Sequence, residues 1–125
     1  MDDKTIERFE KAEAQLIGFL DEFQTLTKKS PSDGVNKFKL KYLNTVLAEA
    51  NNILPSHSRP FVEFAQFDAD EVPTNSDVVM ILRQYRDCMA QIRHRDTHVE
   101  YGTWYWKVDG AKGAKRETRD PDSVG

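Results

Sequence analysis

The chain has 125 residues, with 18 Lys and Arg against 21 Asp and Glu, a net charge of −3 and one cysteine. This length sets an expectation of one domain over 1–110 with its own core, followed by a polar, flexible tail over 111–125. The lone Cys88 cannot form an internal disulfide and suits a reducing compartment. No apolar run reaches the roughly eighteen residues of a membrane span, and residues 1–15 are charged where a signal peptide is apolar, so a cytoplasmic protein is expected.

Residues 4–29 read as a first helix. Ile6, Phe9, Ala12, Leu16, Ile17, Phe19, Leu20, Phe23 and Leu26 form a wide apolar stripe, with the charged residues mainly off it. Gly18 lies within the stripe and reads as a point of close helix approach. Ser30-Pro31-Ser32-Asp33-Gly34 is a turn cluster that ends the helix. A second helix is expected over 35–54, carried by Val35, Phe38, Tyr42, Leu43, Val46, Leu47, Ala50, Ile53 and Leu54. Lys37, Lys39 and Lys41 alternate with apolar residues at its start, a strand-like pattern that the longer helical period outweighs. Joined by a short loop, the two helices should form an antiparallel hairpin.

Residues 55–76 are the least regular. Phe61, Val62, Phe64 and Phe67 are too many apolar groups for a free loop, and Pro60 can open a helix, so a short helix is expected over 60–67. Asp68, Asp70 and Glu71 form an acidic turn that lacks the glycine and closing glutamate of a calcium loop. The longest buried helix follows over 76–98. Val78, Ile81, Leu82, Tyr85, Cys88, Met89 and Ile92 line one side of it. Thr74 with Asp77 fits the loose form of a capping box at its start.

Beyond His98, Val99 to Val108 is rich in β-formers. Gly102 reads as a helix cap, with 103–108 leaving as an extended arm; a helix kinked at Gly102 is the other reading. The fold expected is all-α, a three- to four-helix bundle with a short extra helix and a C-terminal aromatic arm. The arm either seals the bundle or docks on a partner.

Charge is uneven along the chain. Residues 1–82 carry 9 Lys/Arg against 14 Asp/Glu, residues 83–116 carry 8 against 4, and the last nine carry 1 against 3. The basic region either meets an acidic partner or nucleic acid, or faces the acidic region within the fold.

Arg93-His94-Arg95-Asp96-Thr97-His98 is the sharpest local feature. It resembles the R-x4-H signature of HEPN-type helical ribonucleases. That resemblance implies a helical dimer cleaving RNA without metal, with His98 as general acid/base and Arg93 holding the phosphate, roles that suit their chemistry. His94 and His98 are also four apart, a spacing that lets two imidazoles meet one metal on a helix, with His57 as a distant third ligand; no metal or other cofactor is expected. Tyr101, Trp104, Tyr105 and Trp106, followed by Lys107, Lys112, Lys115 and Arg116, have the composition of a binding surface or of a core edge with a soluble tail. There is no glycine-rich phosphate loop and no serine elbow, and Cys88 lacks an activating base.

The reading that follows is a non-enzymatic interaction module: a small adaptor, inhibitor or complex subunit. Its surface would be built from Arg93, Arg95, Tyr101, Trp104, Trp106 and Lys107. Another protein is the expected partner, with RNA or a second copy of the chain as alternatives and no membrane. The alternative function is an RNA-cleaving or RNA-binding dimer using Arg93 and His98.

Overall fold

The three long apolar-periodic stretches are helices in a computed structural model that describes residues 1–110 and 114–123. They are α1 (Asp3–Lys29), α2 (Lys37–Ile53) and α3 (Asn75–Asp96). Each starts where a side chain takes up a free N–H group. Asp2 accepts from the Thr5 amide at 2.8 Å and Asn36 from that of Lys39 at 2.8 Å. Thr74 and Asp77 form the reciprocal capping box, at 3.2 Å and 2.9 Å. Lys28 and Lys29 close α1 where cations suit the dipole. No helix among the described residues is long and apolar enough to cross a membrane.

Helix α1 lies between the other two and runs antiparallel to both. Arg8 meets Glu49 at 2.7 Å and Lys39 meets Glu22 at 3.3 Å, which orients α2. Asn75 Nδ2 donates to the Ser30 carbonyl at 2.9 Å at one end of α3, and Arg93 meets Glu13 at the other. The turn between α1 and α2 is tied to the start of α3 by backbone bonds from Val35 to Pro73, Asn75 to Asp33 and Ser76 to Pro31, at 2.8–3.1 Å. Gly34 permits this approach, since a Cβ there would lie 2.7 Å from Val72 Cγ1.

The crossover 54–74 fills the space between α2 and α3. Asn44 grips the backbone of Phe67 twice, donating to its carbonyl and accepting from its amide, both at 2.9 Å. Asn51 donates to the Ala65 carbonyl at 3.1 Å and accepts from the Tyr85 hydroxyl at 2.7 Å. Burial raises the Tyr85 pKa above its ordinary value. Phe67 is buried, and Phe64 packs edge-on against both Phe67 and Tyr85. The expected helix over 60–67 does not form: the segment is turns and extended chain. The Phe67 amide and carbonyl and the Ala65 carbonyl are taken by asparagines of α2, so Phe67 is buried without a helix, while Phe61 stays exposed.

The larger correction concerns the end of the chain. The protein is mostly helical but not a pure bundle, because α3 passes directly into a three-stranded antiparallel sheet. The strands are β1 (Thr97–Glu100), β2 (Thr103–Lys107) and β3 (Lys115–Thr118), in that order. Thr97 pairs with Trp106 and Glu100 with Thr103 in one ladder; Trp104 pairs with Thr118 and Lys107 with Lys115 in the other. Gly102 does not cap a helix. With Tyr101 it makes the two-residue loop of the β1–β2 hairpin, at φ +81° and +51° respectively, as a type I′ turn requires. The extended arm expected over 103–108 is therefore a strand. The segment expected as a tail contributes β3 and a 3₁₀ turn at Pro121–Ser123, with Pro121 buried.

Candidate functional site

Alternation along the strands sends successive side chains to opposite faces of the sheet. Trp106 defines the inner face. It is fully buried, meets Phe9 of α1 edge-on at 5.3 Å between ring centres, and donates its indole N–H to Glu10 at 2.7 Å. Thr118 also donates to Glu10, at 3.1 Å. The aromatic segment divides between core and surface. Trp106 seals the core, while Trp104 is only half-buried and Tyr105 points to the outer face.

Arg93 lies under this face. Its side chain is 2% exposed, and its Nε donates to both oxygens of Glu13 at 3.0 and 2.9 Å. A further nitrogen donates to Thr118 at 2.7 Å, and the guanidinium lies 4.9 Å from the centre of the Trp106 ring. Arg119 completes the group by bonding Glu13 from the surface side. Arg116 reaches Glu7 at 3.4 Å and Asp3 at 3.6 Å. Much of the basic end of the chain thus faces the acidic stripe of α1. A shallow cleft of about 310 Å³ beside Arg93 is lined by Glu10, Glu13 and Glu117 against Arg93 and Arg119, so carboxylates outnumber guanidiniums where a phosphate would enter. Sequence reading missed Glu13, although its spacing was visible: four residues after Phe9 and three before Leu16, it falls inside the apolar stripe.

The outer face carries His98, Glu100, Tyr105, Lys107 and Lys115. His98 packs against Tyr105, its cross-strand partner, at 5.9 Å, and its Nε2 is 3.3 Å from Glu100. Lys115 bonds Glu100 and lies 4.5 Å from the Tyr105 ring centre. The Lys115 ammonium holds the Glu100 carboxyl below the usual carboxylate range. Helix α3 ends at Asp96, so His98 stands on a strand while Arg93 stands on a helix. Arg93 packs against Trp106 and His98 against Tyr105, on opposite faces of the sheet. The structure does not bring them to a common point. His94 and His98 are also apart, with His94 at 3.0 Å from Asp122. Among the described residues, no three His, Cys, Asp or Glu side chains gather as a metal ligand set. Burial raises the Cys88 pKa, which keeps the thiol protonated.

The remaining candidates lie around the hairpin end. Tyr101, at the tip, is fully exposed, and Val99, one step back, is half-exposed. Val99 pairs across the ladder with Trp104. Arg95 is largely exposed and bonded to Asp96 at 2.9 and 3.0 Å, contacts that raise its pKa further. Lys107 is exposed at the far end of β2, and Lys112 lies outside the described residues. Comparison with models of protein families, with curated protein sequences and with solved structures finds no match for the chain.

Proposed function

We propose that this protein is a non-enzymatic interaction module, an adaptor, inhibitor or complex subunit, that docks another protein through the hairpin end of its sheet. The observation that carries the reading is Tyr101. A non-glycine residue at positive φ costs about 1–2 kcal/mol, and the first position of a type I′ turn favours Asn, Asp or Gly. Tyr101 bears that cost with its ring wholly in water, so it returns nothing to the core. Aromatic side chains that project from a rigid support are the usual anchors of protein interfaces. Here the support is β1, which continues α3, locked to α1 by Arg93, Glu13 and Trp106. Val99 and Trp104 supply apolar area beside the anchor, and Arg95 and Lys107 supply charge at the rim. The ribonuclease reading would need Arg93 released from Glu13 and Thr118, and no observation favours it.

The test is Tyr101→Asn, which keeps the turn and removes the ring. The variant should fold at least as stably as the parent and lose the partner when both are recovered, side by side, from the native cell. Retention of every bound protein by the variant would refute the reading.

A further inference from the structure

The start of α2 carries two penalties in one place, at the opposite end of α1 from the hairpin. Phe38 is 70% exposed and Tyr42 48% exposed, with their rings edge to face at 5.1 Å. Residues four apart on a helix stack into one ridge, so the two rings form an apolar strip left open among the described residues. Lys37 and Lys41 form the neighbouring ridge. With Lys39 they put three cations at the beginning of a helix, where the dipole disfavours positive charge, and no acidic residue stands in that first turn. From Asp33 to Glu49 the sequence has no carboxylate between. Lys39 is offset by Glu22 at 3.3 Å. No carboxylate pairs with Lys37 or Lys41 among the described residues, and the Lys41 ammonium instead lies 5.7 Å from the Tyr42 ring centre.

We infer that this double ridge is a docking site for an acidic segment of a partner protein, with apolar side chains against Phe38 and Tyr42 and carboxylates on Lys37 and Lys41. The occupant follows from charge. The patch is locally positive on a chain of net charge −3, so a short acidic segment meets the local field while a long polyanion is repelled by the rest of the surface. The ring geometry agrees. Planes inclined at 67° do not offer parallel platforms to successive bases. The site is separate from the sheet: Glu22, which meets Lys39, lies about 18 Å of helix rise from Glu10, which meets Trp106. An adaptor needs two such surfaces.

The test uses random peptides displayed on phage, selected against the immobilised full chain and then measured by fluorescence anisotropy. Selected peptides should combine Asp or Glu with Leu, Ile or Phe. They should bind about tenfold more weakly to Phe38→Ser/Tyr42→Ser and to Lys37→Glu/Lys41→Glu. Lys37→Glu/Lys41→Glu relieves the dipole and should melt no lower than the parent, while Phe38→Ser/Tyr42→Ser loses one edge-to-face pair and should melt only slightly lower. Failure of the Phe38→Ser/Tyr42→Ser variant to fold at room temperature would mean that the rings serve the fold, and would overturn the proposal. So would the absence of an enriched peptide class, equal binding to parent and variants, tighter binding of labelled oligouridylate than of any peptide, or self-association abolished by the same substitutions.

Discussion

Replacing Arg93 with Met removes the charge that joins α3, α1 and the sheet. Arg93 and Glu13 are each 2% exposed at the side chain, so both have left water and depend on each other. Removing one member of a buried pair costs about 3–5 kcal/mol, because the other charge stays buried without its counterpart. The two single variants should differ in a way the structure sets. Arg93→Met leaves Glu13 with Arg119, whose side chain is 41% exposed, so its cost belongs at the low end, about 3 kcal/mol. Glu13→Leu leaves the guanidinium with Thr118 and the ring faces alone, so its cost belongs at the high end, about 5 kcal/mol. The double variant Arg93→Met/Glu13→Leu buries two apolar chains against Phe9 and Trp106 and should recover most of either loss, since well-packed apolar residues often replace a buried pair without cost. Urea unfolding followed by far-ultraviolet circular dichroism and by tryptophan fluorescence gives all three free energies. A loss below about 1 kcal/mol for both single variants, the value of an exposed pair, would refute the reasoning, for it would mean that water reaches the pair and the sheet is not seated on α1.

Trp106→Ala should cost about 3–5 kcal/mol and Trp104→Ala about 1–2 kcal/mol, measured by the same unfolding curves; equal losses would contradict the division of the two tryptophans between core and surface. Gly18→Ala should raise stability by about 1 kcal/mol, since a Cβ at this exposed helical position meets nothing within 4 Å; a loss would show that another element approaches there. The Thr5 backbone N–H holds the Asp2 carboxyl below the usual carboxylate range, so its stabilisation is present in full above the ordinary carboxylate pKa of about 4 and is lost as the pH falls through the lower folded value. Asp2→Ala should therefore melt below the parent near neutral pH and converge with it at about pH 2; a gap that persisted in acid would place the effect elsewhere.

The helices were legible because their signal is local. The stripes over 4–29, 35–54 and 76–98 correspond to Asp3–Lys29, Lys37–Ile53 and Asn75–Asp96, and Thr74 with Asp77 forms the box their spacing promised. Gly18 was misplaced because a residue without a side chain carries no sign of which way it faces; it lies on open surface. The hairpin was hidden by its turn. Tyr before Gly102 does not signal a type I′ loop as Asn or Asp would, so the glycine read as a helix end. Strand β3 had no apolar alternation at all: Lys115, Arg116, Glu117 and Thr118 are a strand because β2 offers a free edge and because Asp3, Glu7, Glu10 and Glu13 lie under it. The same holds for the site. Tyr101 was named on composition, but its exposure and strained backbone come only from the pairing of Glu100 with Thr103. Arg93 looked like a surface cation because the partner that buries it, Glu13, is eighty residues away in the chain.

The central claim is that the hairpin tip presents Tyr101 to another protein. The most direct measurement places a photo-crosslinking benzoylphenylalanine at position 101, and at exposed Asp70 as a control, in the full chain in its native cell. The account predicts one protein adduct on irradiation of the position-101 variant and none at the control. Adducts at neither position, the same adducts at both, or an adduct to RNA at 101 would contradict it.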